Sequence, residues 1–177
     1  MVATGRYHVI TDGRVETRPD QPYAAIPAEV SMEGFGDLLG PMWGEVFGWL
    51  GGHGVQPAGP PLIRYKVIDM ERGMEIEVGV PVAAPIDGDD RVIGGVLPAG
   101  RYAVLSYVGD YSGLVEANAA LQEWVAAEGH QVDQRPTGRG DAFGGRVEFY
   151  PTDPEEEPDS SKWQTDVAYR LADGPTR

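Results

Sequence analysis

Hydrophobic residues recur along the chain in two rhythms. Leu114, Ala117, Leu121, Trp124 and Val125 return at three- and four-residue steps, which predicts an amphipathic helix ending near Gly129. Ser112 stands where its N-cap would fall. Phe35, Leu38, Leu39, Met42, Val46, Trp49 and Leu50 repeat that rhythm and end at Gly51-Gly52. Gly40-Pro41 interrupts this earlier helix, which is either kinked there or begins at Pro41. Alternating or β-rich segments predict strands at about 22–30, 61–68, 73–81, 101–108, 145–151 and 163–171, with extra strands at about 7–18 and 91–97. Gln131–Gly145, the acidic stretch 153–161 and the tail 173–177 read as loops.

The strand segments also match one another in order. Pro22–Val30 aligns with Arg101–Gly109, Ile63–Asp69 with Val147–Asp153, and Met74–Val78 with Trp163–Val167. The offset grows from 79 to 84 to 89, as loop insertions in a second copy would produce. The expected fold is therefore α+β: a pseudo-twofold duplicated βαββ, one antiparallel sheet carrying two main helices. It forms a single domain over 1–177, with repeats at about 20–82 and 97–171.

Composition narrows the function. The chain has 177 residues, 41% of them hydrophobic, enough for one packed domain. Without cysteine there is no disulfide, thiolate metal site or thiol nucleophile. The net charge of −14 is spread evenly, with 12 acids and 6 bases in residues 1–88. No basic face exists to grip a phosphate backbone, so nucleic acid is excluded as a partner. No apolar run reaches the ~20 residues of a membrane span, and no signal pattern opens the chain, so a cytoplasmic location is expected. An acidic field suits cationic small molecules or basic protein surfaces.

Catalytic and cofactor motifs are absent. His8, His53 and His130 lie apart without metal-ligand spacing, and no phosphate loop, dinucleotide fingerprint or nucleophile elbow occurs. No cofactor and no metal are expected. Arg139-Gly140-Asp141 and Glu155–Glu157 read as solvated loop. Glu148 stands out. On a strand it shares one face with Tyr150 while Val147 and Phe149 take the other. Three readings are open: the floor of a ligand cavity, a solvent-facing strand, or a salt bridge to its repeat counterpart Arg64. Tyr107 and Tyr111 flank the corner before the second helix, Trp43 and Phe47 lie on the first helix, and Trp163 opens the last strand. Aromatic faces attract cations, and a ring of them over a carboxylate makes a receptor for a flat organic cation. Trp49 and Trp124 read as core.

Pro57-Ala58-Gly59-Pro60 before Arg64-Tyr65, Glu77–Val82, Leu97–Ala103, Tyr107–Tyr111 and Glu148-Phe149-Tyr150 with Asp153-Pro154 form an ordered set. Over roughly residues 20–171 this set resembles the GyrI-like small-molecule-binding domain, the effector-binding module of MerR- and AraC-type multidrug regulators. The resemblance implies a central ligand groove between the two halves for cationic, aromatic or lipophilic compounds. It carries the family's buried glutamate onto Glu148, the next inward position onto Tyr150, pocket aromatics onto Trp163 and Trp43, and the helix-entry tyrosine onto Tyr111. Tyr107 stands where relatives often have histidine. The regulators also carry a helix-turn-helix domain, for which this chain has no room, so the resemblance is to a stand-alone member.

Three functions follow from it. The first is sequestering or sensing hydrophobic, cationic aromatic compounds, with Glu148, Tyr150, Trp163, Tyr107, Tyr111, Trp43 and Phe47 as ligand contacts. The second is a cofactor-independent hydrolase that opens the cyclopropane of DNA-alkylating natural products. There Glu148 would act on water, and Tyr107 or Tyr111 would hydrogen-bond the departing phenolate. The third is a protein partner, as for an inhibitor of DNA gyrase. The oligomeric state is not legible.

Overall fold

A computed structural model describes residues 2–4, 8–31 and 36–173, with side chains from 10 to 31 and from 37 to 173. The predicted helix residue Phe35 and strand residue Tyr7 lie outside these ranges, as do tail residues 174–177. In chain order the elements are β1 Val2–Thr4, β2 His8–Ile10, β3 Arg14–Arg18, β4 Gln21–Val30 and α1 Gly36–Gly52. Then follow β5 Leu62–Asp69, β6 Gly73–Pro81, β7 Ile93–Leu97, β8 Gly100–Val108 and α2 Leu114–Ala127. β9 Gln134–Thr137, β10 Gly140–Phe143, β11 Arg146–Phe149 and β12 Gln164–Arg170 complete the chain.

The strands form one curled antiparallel sheet ordered β1-β2-β8-β12-β11-β5-β6-β4-β7, so the fold is α+β as expected. α1 and α2 pack on it. Met42, Val46 and Leu50 of α1 cluster with Ile26, Ile63, Ile76 and Val78. Ala117, Leu121 and Val125 of α2 cluster with Leu105, Val167 and Tyr169. The opposite face curls until Tyr23 and Ala25 of β4 share a core with Tyr102 and Val104 of β8. This burial on both faces explains why β4 and β8 read as near-continuous apolar runs rather than clean alternations.

One transverse row positions the site. Ile26 pairs with Val78, Val78 with Ile63, Ile63 with Glu148, Glu148 with Val167, and Val167 with Leu105. Five aliphatic residues and one carboxylate therefore cross the six middle strands. β11 and β5 pair at the middle of this row. The aligned residues Ile63 and Val147 face opposite sides of the sheet, Ile63 in the α1 cluster and Val147 in the core of the other face.

Several local expectations are corrected. Arg64 is not a partner of Glu148: it lies on the other face, donating to the Tyr23 hydroxyl at 2.8 Å and to the carbonyls of Val96 and Gly144. Tyr23 in turn donates to the buried Glu77. α1 runs unbroken from Gly36 with Pro41 inside it. Ser112 is not the cap of α2. Asp110 caps a short 3-10 turn over Tyr111–Gly113 by accepting from the Ser112 N–H, and α2 begins behind it. The 131–145 segment is not all loop, since β9 and β10 form a hairpin and β10 pairs with the far end of β5 at Val67 and Ile68. Its residues are largely exposed, so no hydrophobic alternation announced it. Trp124 packs over Gly13, where a Cβ would strike the indole.

Candidate functional site

Glu148 is 5% exposed, in the middle of a β-sheet row that is otherwise aliphatic. Such a carboxylate is tolerated only when its oxygens are hydrogen-bonded. Three side chains do this. Tyr65 and Tyr150 donate to Oε1 at 2.9 and 2.5 Å, and Asn118 Nδ2 donates to Oε2 at 2.9 Å. Each arrives for a local reason. Tyr65 lies two residues beyond Ile63 on β5, and Tyr150 two beyond Glu148, so both share the face turned to the helices. Asn118 lies on the stripe of α2 between Leu114 and Leu121, and the same amide also donates to the Leu114 carbonyl.

Burial, reinforced by the adjacent carboxylate, pushes both phenols well above their usual range. They stay protonated at neutral pH and act as donors. All three donors are neutral. Among the described residues no ion pair joins Glu148, and the nearby cation on its face, Arg146, is held elsewhere. Its guanidinium lies 4.7 Å from the Tyr169 ring centroid, 4.9 Å from Phe143 and 5.9 Å from Tyr65. It reaches Glu148 only through Asn118, whose Oδ1 accepts from Arg146 at 3.5 Å and also from the Tyr169 hydroxyl. Arg146 Nε is buried with no hydrogen-bond partner.

From the carboxylate a ladder of rings leads outward. Tyr150 meets Trp43 edge-on at 5.4 Å and Tyr111 at 5.8 Å, and Tyr111 lies 4.9 Å from Trp163. Tyr111 is 40% exposed and forms the outer rung. Trp43 is fixed by its indole N–H, which lies between the carbonyls of Gly79 and Leu62 at 3.2 and 3.3 Å. Trp163 donates to the Glu157 carbonyl at 2.7 Å and so ties the acidic loop beside the site.

Thus Glu148, Tyr150, Trp43, Tyr111 and Trp163 come together, and two expected contacts do not. Tyr107 is fully buried in the α2 cluster, its hydroxyl given to the Asp110 carbonyl at 2.6 Å and its ring against Gly113. Phe47 is on the outer side of α1 and 41% exposed, because Met42, Val46 and Leu50 take the inner face. Trp49 is half-buried, its N–H donating to Asp89 and its ring stacked on His53. Tyr65, Asn118 and Arg146 were missed. Asn118 was detectable as a polar residue breaking an apolar helical stripe, and Tyr65 as the next residue on the same strand face as Ile63. Among the described residues no cluster of acidic or histidine side chains could hold a metal ion. None of the described helices is long and apolar enough to cross a membrane.

The structure is a two-helix α+β sheet that holds a hydrogen-bonded carboxylate beneath edge-on and tilted aromatic rings. The chain belongs to the GyrI-like small-molecule-binding domain family, whose model matches residues 11–172. It is similar in structure to the EcmrR C-terminal domain, at TM-score 0.74 and 17% identity over 92% of this chain and 98% of that one. In a complex with DNA, EcmrR is a longer chain, 59% of which is covered at TM-score 0.70 and 17% identity by 95% of this one. A hydrolase from Listeria innocua matches at TM-score 0.60 and 15% identity, over 91% of this chain and 92% of that one. SAV2435 bound to tetraphenylphosphonium matches at TM-score 0.56 and 9% identity, over 92% and 94%. No curated protein matches the chain.

Proposed function

We propose that the chain binds hydrophobic aromatic compounds, cationic ones foremost, over Glu148 between α1 and α2, and so sequesters or senses them. The observation that carries this reading is a buried negative charge met only by neutral donors at the base of a ladder of rings. A flat cation would bring the missing countercharge and stack on Tyr150, Tyr111 and Trp163 as they part, each ring contributing about 0.5–2 kcal/mol. A solved structure of the same fold, SAV2435, is bound to tetraphenylphosphonium, an aromatic cation that is tetrahedral rather than flat. The test is titration of that cation followed by tryptophan quenching. Glu148→Gln, which keeps shape and removes charge, is expected to weaken binding at least tenfold. Equal affinity in the two proteins sinks the electrostatic account.

A second reading is hydrolysis of a strained electrophilic ring, favoured by a carboxylate and two phenols sharing one oxygen. The three hydrogen bonds already made to its oxygens take up three of the roughly four lone-pair sites that a water-activating base would need, which ranks this reading below binding. Incubation with a cyclopropane-bearing alkylator and a search for a water adduct by mass spectrometry decides it. A protein-partner role would draw on an exposed Glu148, and at 5% exposure that residue offers no such surface.

A further inference from the structure

Arg146 is an unusual neighbour for a carboxylate awaiting a cationic ligand. It stands two residues from Glu148 on the same face of β11, about 7 Å along a strand. Its guanidinium is caged by three rings, with a single long hydrogen bond to Asn118 and a buried, unpartnered Nε. Direct pairing with Glu148 would satisfy both groups better. Asn118 prevents it by standing between them, with its Nδ2 toward the carboxylate and its Oδ1 toward the guanidinium.

We propose that Arg146 is a specificity-determining residue of this pocket: a caged, built-in countercharge that competes with a cationic ligand for the field of Glu148. The proposal rests on the pocket reading above. Its consequence is that Arg146 tempers, without abolishing, the preference for cations that Glu148 sets, because a cation arriving at Glu148 also meets Arg146. Neutral aromatic compounds meet no such opposition. At two strand residues' distance, one charge on a partly buried neighbour is worth on the order of tenfold in binding.

The test uses the full chain, calorimetry, and two probes of similar aromatic shape: the cation tetraphenylphosphonium and the neutral triphenylphosphine oxide. Arg146→Met keeps an apolar stem against the rings. Arg146→Gln keeps a donor toward Asn118 and covers the case in which the first variant does not fold. Both are expected to bind the cation about tenfold more tightly than the unmodified chain, with the neutral probe changed less than twofold. Equal tightening of both probes, or no change for the cation, overturns the proposal. If the unmodified chain binds the cation in a Glu148-dependent way and neither Arg146 variant alters it, this proposal falls and the pocket reading stands. If no variant binds either probe, both fall together.

Discussion

Tyr150→Phe separates the two roles that the Tyr150 hydroxyl plays. In the folded chain it donates to Glu148 Oε1 at 2.5 Å, a short bond to a charged acceptor. Such bonds contribute about 1.5–3 kcal/mol, roughly twice a neutral one. The substitution keeps the ring, so the edge contacts to Trp43 and Tyr111 persist and no cavity opens. Tyr65 still donates to the same oxygen at 2.9 Å, so Oε1 is not orphaned. The expected loss is therefore about 2 kcal/mol, or about 4–8 °C in Tm for a chain of this size. Tyr65→Phe, through a longer bond, should lose less. The double variant should lose more than the two losses added together, because only then is a buried carboxylate oxygen left bare. Urea and thermal unfolding of the four proteins measure this. In the same variants a carboxylate with fewer donors should attract tetraphenylphosphonium a few-fold more strongly, so stability falls as affinity rises. A Tyr150→Phe protein within ~0.5 kcal/mol of the parent, or double losses that merely add, would refute the assignment of these phenols as the supports of Glu148.

The two tyrosines at the corner before α2 should behave oppositely. Tyr111→Ala removes the outer rung and is expected to weaken aromatic-cation binding about three- to tenfold with little loss of stability. Tyr107→Phe loses the bond to the Asp110 carbonyl, costing about 1 kcal/mol of stability and leaving binding unchanged. Reversed outcomes in the quenching titration would put Tyr107 back in the pocket. Asp89 accepts from the N–H groups of Arg91, Val92 and Trp49, which hold its carboxyl down at about 2. Because the folded value lies below the unfolded one, near 3.9, its contribution is present above that value and fades as pH falls toward 2. The Tm gap between the parent and Asp89→Asn should therefore narrow from pH 5 to pH 2, and a constant gap would count against this turn.

Much of the fold was legible because its strands and helices carry their own periodicity. The stripe Leu114, Ala117, Leu121, Val125 and the apolar runs of β4 and β8 each name a buried face before any contact is known. What stayed hidden owes its structure to neighbours. β10 is a strand because the far end of β5 leaves backbone groups to pair, and Phe143 is the one residue of its four that is fully buried. The start of α2 was misplaced because a 3-10 turn capped by Asp110 comes first, and a serine at the right spacing could not reveal that. Glu148 was legible as an acid between Val147 and Phe149 with Tyr150 on its face, whereas its other two supports, Asn118 and Tyr65, come from a helix and from the other half of the sheet. Arg64 looked like its partner until the ladder turned it to the opposite face.

The transverse row sharpens what Glu148 is for. Five of its six members are aliphatic and pack under the helices, so a leucine at 148 would complete a continuous apolar floor from Ile26 to Leu105. A buried charge is weak support for stability, since replacing such groups with packed apolar residues is often neutral or favourable. The chain nevertheless surrounds this carboxylate with Tyr65, Tyr150 and Asn118, and then keeps a caged arginine one amide away. Four polar residues arranged around one acid cost the core more than leucine would. A single property of that acid, its negative charge held beneath aromatic rings, accounts for all four.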